Sequence, residues 1–174
     1  MESSDLLVDG LGRVNQLVHR VLEDLPFEML NTMPSKDTNS IGWLLWHLTR
    51  VHDHHLSDLE GEPQIWTSQK IYTHFAMEGN ENETGNGHTL EQVKAFFAPN
   101  GASLSGYNDA VFSRTKKYLE GLNSSALERV LNEPQYDPMP TIGVRLISVL
   151  SDNTQHVGQA LFVRGMLQGF GWRG

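Results

Sequence analysis

The 174-residue chain has no cysteine. That excludes disulfides, cysteine-bound zinc and an internal thiol nucleophile. Any thiol that reacts here comes from outside the chain. Basic residues are scarce: 13 Lys and Arg face 21 Asp and Glu, for a net charge of −8. With no Lys/Arg-rich run, a nucleic-acid-binding face and attachment to an anionic membrane are both disfavoured. No apolar run approaches the ~20 residues that span a bilayer. The start, Met1-Glu2-Ser3-Ser4-Asp5, lacks the basic and apolar regions of a signal peptide. These absences point to a cytoplasmic protein with small-molecule partners. Several catalytic signatures are missing too. There is no Glu-x-x-His for a ferritin-like di-iron site, no His-Glu-x-x-His, and neither a Gly-rich phosphate loop nor a Gly-x-Ser-x-Gly elbow.

The length suits one domain, expected to span 1–174. Hydrophobic periodicity predicts an all-α chain. Leu6, Leu7, Leu11, Val14, Leu17, Val18, Val21 and Leu22 recur at helical spacing, and that helix ends near Leu25-Pro26. Thr38, Asn39 or Ser40 caps a second helix, which Gly61 stops near Glu60. A long segment from about Glu62 to His88 reads as irregular; its Glu78–Gly87 stretch is too polar and Gly-rich for a core element. Long loops of this kind are often lids, or else mobile. Thr89 opens a short accessory helix. A third long helix covers about Ala102 to Leu122, and a fourth about Ile142 to Leu167. The expected fold is a four-helix bundle with a long crossover loop.

The fourth helix carries the chemistry. Asp152 and His156 are four residues apart, which puts both on one helix face about 5–6 Å apart at Cβ. Ile142, Leu146, Val149, Asn153, His156, Ala160, Val163 and Leu167 make an inward stripe that is apolar except near this pair. Burying those groups unpaired would cost roughly 1–3 kcal/mol per neutral group, and more for a charge. A divalent cation would supply the partner. His47, a single polar residue in Ile41-Gly42-Trp43-Leu44-Leu45-Trp46-His47-Leu48, is the third candidate ligand. Against this stands a plain structural reading, in which the pair lies on the surface and His47 is a hydrogen-bonded core residue.

Other residues are weaker candidates. His52 and His55 read as solvated. His54, about two turns from His47, is too far to share an ion but could line the same cavity. His74 and His88 are expected to be exposed. Trp43 and Trp46 read as core, while Trp66 and Tyr72 wall a pocket or anchor the loop. Asn153 or Gln155 could be donors behind the ligands. Arg145 and Arg164 could meet an anionic substrate, though salt bridging suits each better.

Three segments, Ser40–Arg50, Gly87–Val93 and Asp152–Gly165, resemble the DinB-like superfamily, particularly its actinobacterial branch of mycothiol-dependent transferases and maleylpyruvate isomerases. The likeness spans essentially the whole chain. It implies a bundle in which His47, Asp152 and His156 hold zinc or nickel, often in a homodimer. Many members have histidine where Asp152 stands, and the isomerases have glutamate there and a second domain. The aspartate therefore leaves the metal open, and the isomerase reaction itself is not implied. What the resemblance implies is a transferase joining mycothiol or a similar small thiol to an electrophile. A metal-dependent hydrolase and a non-catalytic, stress-linked metal-binding module stand as alternatives.

Overall fold

The computed structural model describes residues 2–173. Among them the chain is helical, with no strand, only an isolated bridge between Val130 and Thr141. Four long helices form the frame: α1 (Ser3–Leu22), α3 (Ile41–Glu60), α6 (Gly101–Glu120) and α8 (Ile142–Gln168). Four short ones lie between them: α2 (Phe27–Leu30), α4 (Ile65–Ser68), α5 (Leu90–Ala95) and α7 (Ser124–Leu127). Two 3-10 turns, Ile71–Phe75 and Phe170–Arg173, complete the set. No described helix is long and apolar enough to cross a membrane.

Local chemistry sets the boundaries. Ser40 Oγ accepts from Trp43 N at 3.2 Å to open α3. Gly61, at φ 69°, closes it in the left-handed conformation that glycine adopts without a Cβ penalty. Thr89 and Gln92 form a reciprocal capping box on α5. Asn100 and Thr141 cap α6 and α8.

The long helices pack as a ring in the order α1, α6, α3, α8. Contacts fix their directions. Gly10 meets Leu150 while Arg164 reaches Arg20 and Val21, so α1 and α8 run parallel. Thr49 meets Asn108 and His52 meets Thr115, so α3 and α6 are parallel as well. Gly12 touches Phe112 while Leu22 lies near Gly101, so α1 opposes α6. Two neighbouring parallel helices cannot be joined by a tight turn. The segment from 61 to 100 is therefore a crossover, as its length suggested.

That crossover is less irregular than its composition implied. It contains α4, a 3-10 turn and α5, and it places Ile65, Trp66, Phe75 and Ala98 in the core. Trp66 is fully buried and anchors the segment; Tyr72 packs beside it, ring centroids 6.3 Å apart.

The core has two apolar clusters. One surrounds Trp43, Trp46, Trp66 and Tyr107; the other joins Leu7, Leu11, Leu119, Leu127, Ile142 and Leu146. Between them lies a polar layer. Asn153 Nδ2 donates to His52 Nδ1 at 3.1 Å, His52 Nε2 bonds Thr115 Oγ1 at 2.8 Å, and Thr115 donates to Val111 O. His52 is thus buried, contrary to the solvated position expected of it. A single buried stripe was the wrong picture for α3, which is wrapped by α6, α8 and the crossover and is buried at every position from Ile41 to Arg50. Burial holds His52 neutral and pushes its pKa down to about 4.

Candidate metal centre

The helix frame brings His47 of α3 to Asp152 and His156 of α8. One ligand atom from each lies within 4.8 Å of the others. The two imidazoles meet edge to face, centroids 4.6 Å apart, and His156 Nε2 is 3.4 Å from Asp152 Oδ1. The group sits at the bundle's side rather than in its central layer. Val157, not His156, fills the core position on that turn, while Asp152 and His156 are half-buried at the rim.

Each histidine is tied by one ring nitrogen. His47 Nδ1 lies 2.6 Å from the carbonyl oxygen of Thr84, and a carbonyl only accepts, so Nδ1 carries the proton. His156 Nδ1 lies 2.9 Å from Gln159 Oε1, which assigns its proton in the same way. Both Nε2 lone pairs are left for a ligand. Asp152 Oδ2 is buried with no hydrogen-bond partner. An orphaned carboxylate oxygen beside two free imidazole nitrogens fits a cation. Burial lowers the pKa of His47, whereas the Asp152 carboxylate, which would accept from a protonated ring, raises that of His156.

The crossover supplies the cover. Gly85 is at φ +85°, and a Cβ there would lie 2.7 Å from Trp46, 3.0 Å from Trp43 and 3.1 Å from His47 Nδ1. Only glycine lets this backbone approach so closely. Arg50, three residues past His47 and fully buried, donates to the carbonyls of Glu83 and Glu81 at 3.0 Å each. His88 was expected at the surface, yet it bonds Glu83 Oε1 at 2.8 Å and accepts from Trp43 Nε1 at 3.2 Å. Asp53, fully buried, accepts from Ile65 N, Trp66 N and the Tyr107 hydroxyl at 2.7–3.0 Å. Burial, first, and the Asp53 charge push the Tyr107 pKa well up.

These supports were mostly invisible in the sequence, since several are backbone atoms. The residues named as donors behind the ligands are not the ones used. Asn153 turns inward to His52, and Gln155 Nε2 bonds Ser151 at 3.2 Å on the exposed face. Gln159, three residues past His156 and inside the Asp152–Gly165 segment that carries the family likeness, takes the part.

A cavity of about 500 Å³ opens beside the centre, lined by His47 and Asp152 at one end and by His54, His55 and Ser148 at the other. His47 and His54 do share it. His55 is half-buried, not solvated. His74 is exposed, as expected. Arg145 pairs with Glu133 and donates to His55 Nδ1 at 3.0 Å. Arg164 closes the end of α1 through the carbonyls of Arg20 and Val21. A larger open groove of about 730 Å³ lies between α1 and α6, but its His19 is already paired with Asp109.

The profile of the DinB superfamily matches residues 11–160. The chain belongs to the DinB superfamily. A crystal structure described as the conserved protein of locus from Enterococcus faecalis is 29% identical over 98% of this chain and 99% of that one, with a TM-score of 0.89. No curated protein matches the chain.

Proposed function

We propose that this DinB-like chain is a metal-dependent enzyme that transfers a small external thiol, of the mycothiol type, to an electrophile. One observation carries the reading: two imidazoles with Nδ1 tied to oxygen come together with a carboxylate whose Oδ2 is buried without a hydrogen-bond partner. His47, Asp152 and His156 would hold a divalent ion, zinc or nickel, leaving a position open to the cavity. An ion there would favour the deprotonated form of a thiol or water that reaches it.

The chain's own residues have separable tasks. Thr84 and Gln159 fix the tautomers of His47 and His156, so neither ring must reorient to bind. Asp152 would bring a negative charge that offsets part of a bound cation's. Trp43 stacks on His47 at 4.7 Å with planes 12° apart, holding the ring flat against the core. The cover at Gly85 lies against the Nδ1 edge of the same ring. With no cysteine in the chain, the sulfur must come from the cosubstrate.

The test has two stages. Elemental analysis of protein purified without an affinity-metal step should find about one divalent ion per chain, lost in His47→Ala and His156→Ala. Metal-loaded protein should then consume thiol with an electrophile panel. Metal without turnover would favour a binding module, and turnover without thiol a hydrolase. Absence of metal after zinc and nickel are offered would leave the bundle as structure only.

A further inference from the structure

His54, His55 and Asp58 form a second group of two histidines and an aspartate, with ligand atoms within 4.8 Å of one another. By residue type it repeats the first group. By proton position it is the opposite. Arg145 Nη1 lies 3.0 Å from His55 Nδ1, and a guanidinium only donates. His55 Nδ1 therefore accepts, and in the neutral ring Nε2 carries the hydrogen. The ring is neutral: burial first, then the Arg145 charge, bring its pKa to about 4.

The same logic fixes His54. Arg50 donates to Gln64 Oε1 at 2.7 Å, which orients the amide so that Nε2 faces His54 Nδ1 at 3.1 Å. His54 Nδ1 accepts, so its Nε2 also bears the hydrogen, 3.6 Å from Asp58 Oδ2. An N–H cannot ligate a cation. Two rings with their lone pairs already engaged, beside a guanidinium, make a poor metal site.

What they make instead is a donor edge. The His54 N–H is turned to Asp58, whereas the His55 N–H meets no acceptor among the described residues. His55 lines the cavity whose other end is His47 and Asp152. Asn82, Asn86 and Ser148 line the same cavity and add side chains that can donate. A cavity of about 500 Å³ suits a small molecule.

We propose that the His54–His55 end of this cavity is a subsite for a carbonyl or carboxylate oxygen of a small substrate, bound by the Nε2–H of His55. Arg145, braced by Glu133, is the positioning residue that keeps that hydrogen on Nε2. The substrate so defined is short and polar, with an acceptor oxygen at one end and its reacting atom toward His47 and Asp152. Calling the occupant a substrate rests on the metal-centre reading; the subsite itself does not.

The experiment uses metal-free, nitrogen-15-labelled full-length chain at pH 7. Acetate and acetamide are titrated in turn while the imidazole nitrogens are followed by long-range NMR correlation. His55 is expected in the Nε2–H form before any addition. Its Nε2–H resonance should then shift saturably. A response to acetate alone defines a carboxylate site, and a response to both defines a site for carbonyl oxygen generally. A proton on His55 Nδ1, or no saturable response to either probe, overturns the proposal.

His55→Leu should bind the responsive probe at least about tenfold more weakly, read from the Asn82 and Asn86 amides. His55→Gln keeps an N–H and should stay within about threefold of the wild type. Equal binding in the leucine variant also overturns the proposal. If that variant does not fold, the wild-type titration decides alone. Metal content is measured separately. Probe binding without metal keeps the subsite and removes the metal reading; metal without probe binding removes the subsite alone.

Discussion

Two groups, each of two histidines and an aspartate, both contribute to the wall of one cavity, and their composition is identical. His47 and His156 give their Nδ1 hydrogens to oxygen acceptors and present lone pairs. His54 and His55 receive hydrogen bonds at Nδ1 and present N–H groups. The difference lies wholly in what stands behind the rings: a loop carbonyl and a glutamine oxygen in one case, an oriented amide and an arginine in the other. Residue type makes a group able to bind metal, and its hydrogen-bond partners decide whether it will. Spacing along a helix cannot reveal that decision.

The sharpest way to break the comparison is to remove one histidine from each group. His47→Ala should abolish stoichiometric metal binding, while His54→Ala should leave it unchanged within about twofold, which is under 0.5 kcal/mol. Metal analysis by mass spectrometry, with circular dichroism as a check of folding, reads both. Equal losses would show that the two groups form one site.

His52 is a third kind of histidine, fully inside, and with His55 it contributes to acid stability. Its folded pKa of about 4 lies below the ordinary 6.5 of the unfolded chain. Between those values the unfolded state binds a proton that the folded state refuses. Stability is therefore full above pH 6.5 and falls as the pH drops toward 4, by about 3 kcal/mol in all. Urea unfolding at pH 7 and pH 4.5 should show the loss. His52→Gln, which keeps a donor and an acceptor but cannot charge, should remove the His52 share of that slope and leave the His55 share, even if it lowers stability at pH 7.

The cover gives a smaller effect confined to one group. A Cβ at Gly85 would press on His47 Nδ1, Trp43 and Trp46. Gly85→Ala should move the Thr84 carbonyl off His47 and weaken metal binding by roughly 10–100-fold, as loss of a partner behind a ligand does. His54 and His55 should keep their NMR signatures. Competition with a chelator measures the first and imidazole nitrogen shifts the second; unchanged affinity would mean the carbonyl does not orient His47.

Much of this was legible in the sequence and some was not. The caps at Ser40 and Thr89 and the stop at Gly61 carry their own chemistry, so α3 and α5 could be placed closely, whereas α1 ends at Leu22, short of the expected Leu25-Pro26. His47, Asp152 and His156 were visible because each is polar in an apolar band or paired at i,i+4. His52 and His88 were not. Periodicity assigns one buried face per helix, and α3 has three neighbours, one of them a crossover whose polar composition hid its core residues. Thr84 contributes only a backbone oxygen, which no side-chain pattern encodes. Asp53 and Arg50 looked like ordinary charges on a helix. Both are fully buried because each satisfies several backbone groups of the crossover at once.

The finest test is to convert the second group into the first. Arg145 is what places the hydrogen on His55 Nε2, and its own charge repels a cation. Arg145→Met removes both effects while keeping much of the apolar stem. His55 Nδ1 would lose its donor, so the hydrogen could move there and free Nε2 beside His54 and Asp58. The prediction is a second, weaker equivalent of zinc or nickel, detected by isothermal titration, with the first site unchanged. The gain should be modest, because His54 stays held by Gln64 and contributes only when its Nε2 hydrogen is displaced. His55→Leu introduced alongside should erase the new equivalent. A variant that binds one ion as the wild type does would show that Arg145 is not what separates the two groups, and that the burial of His55 or the hold on His54 suffices.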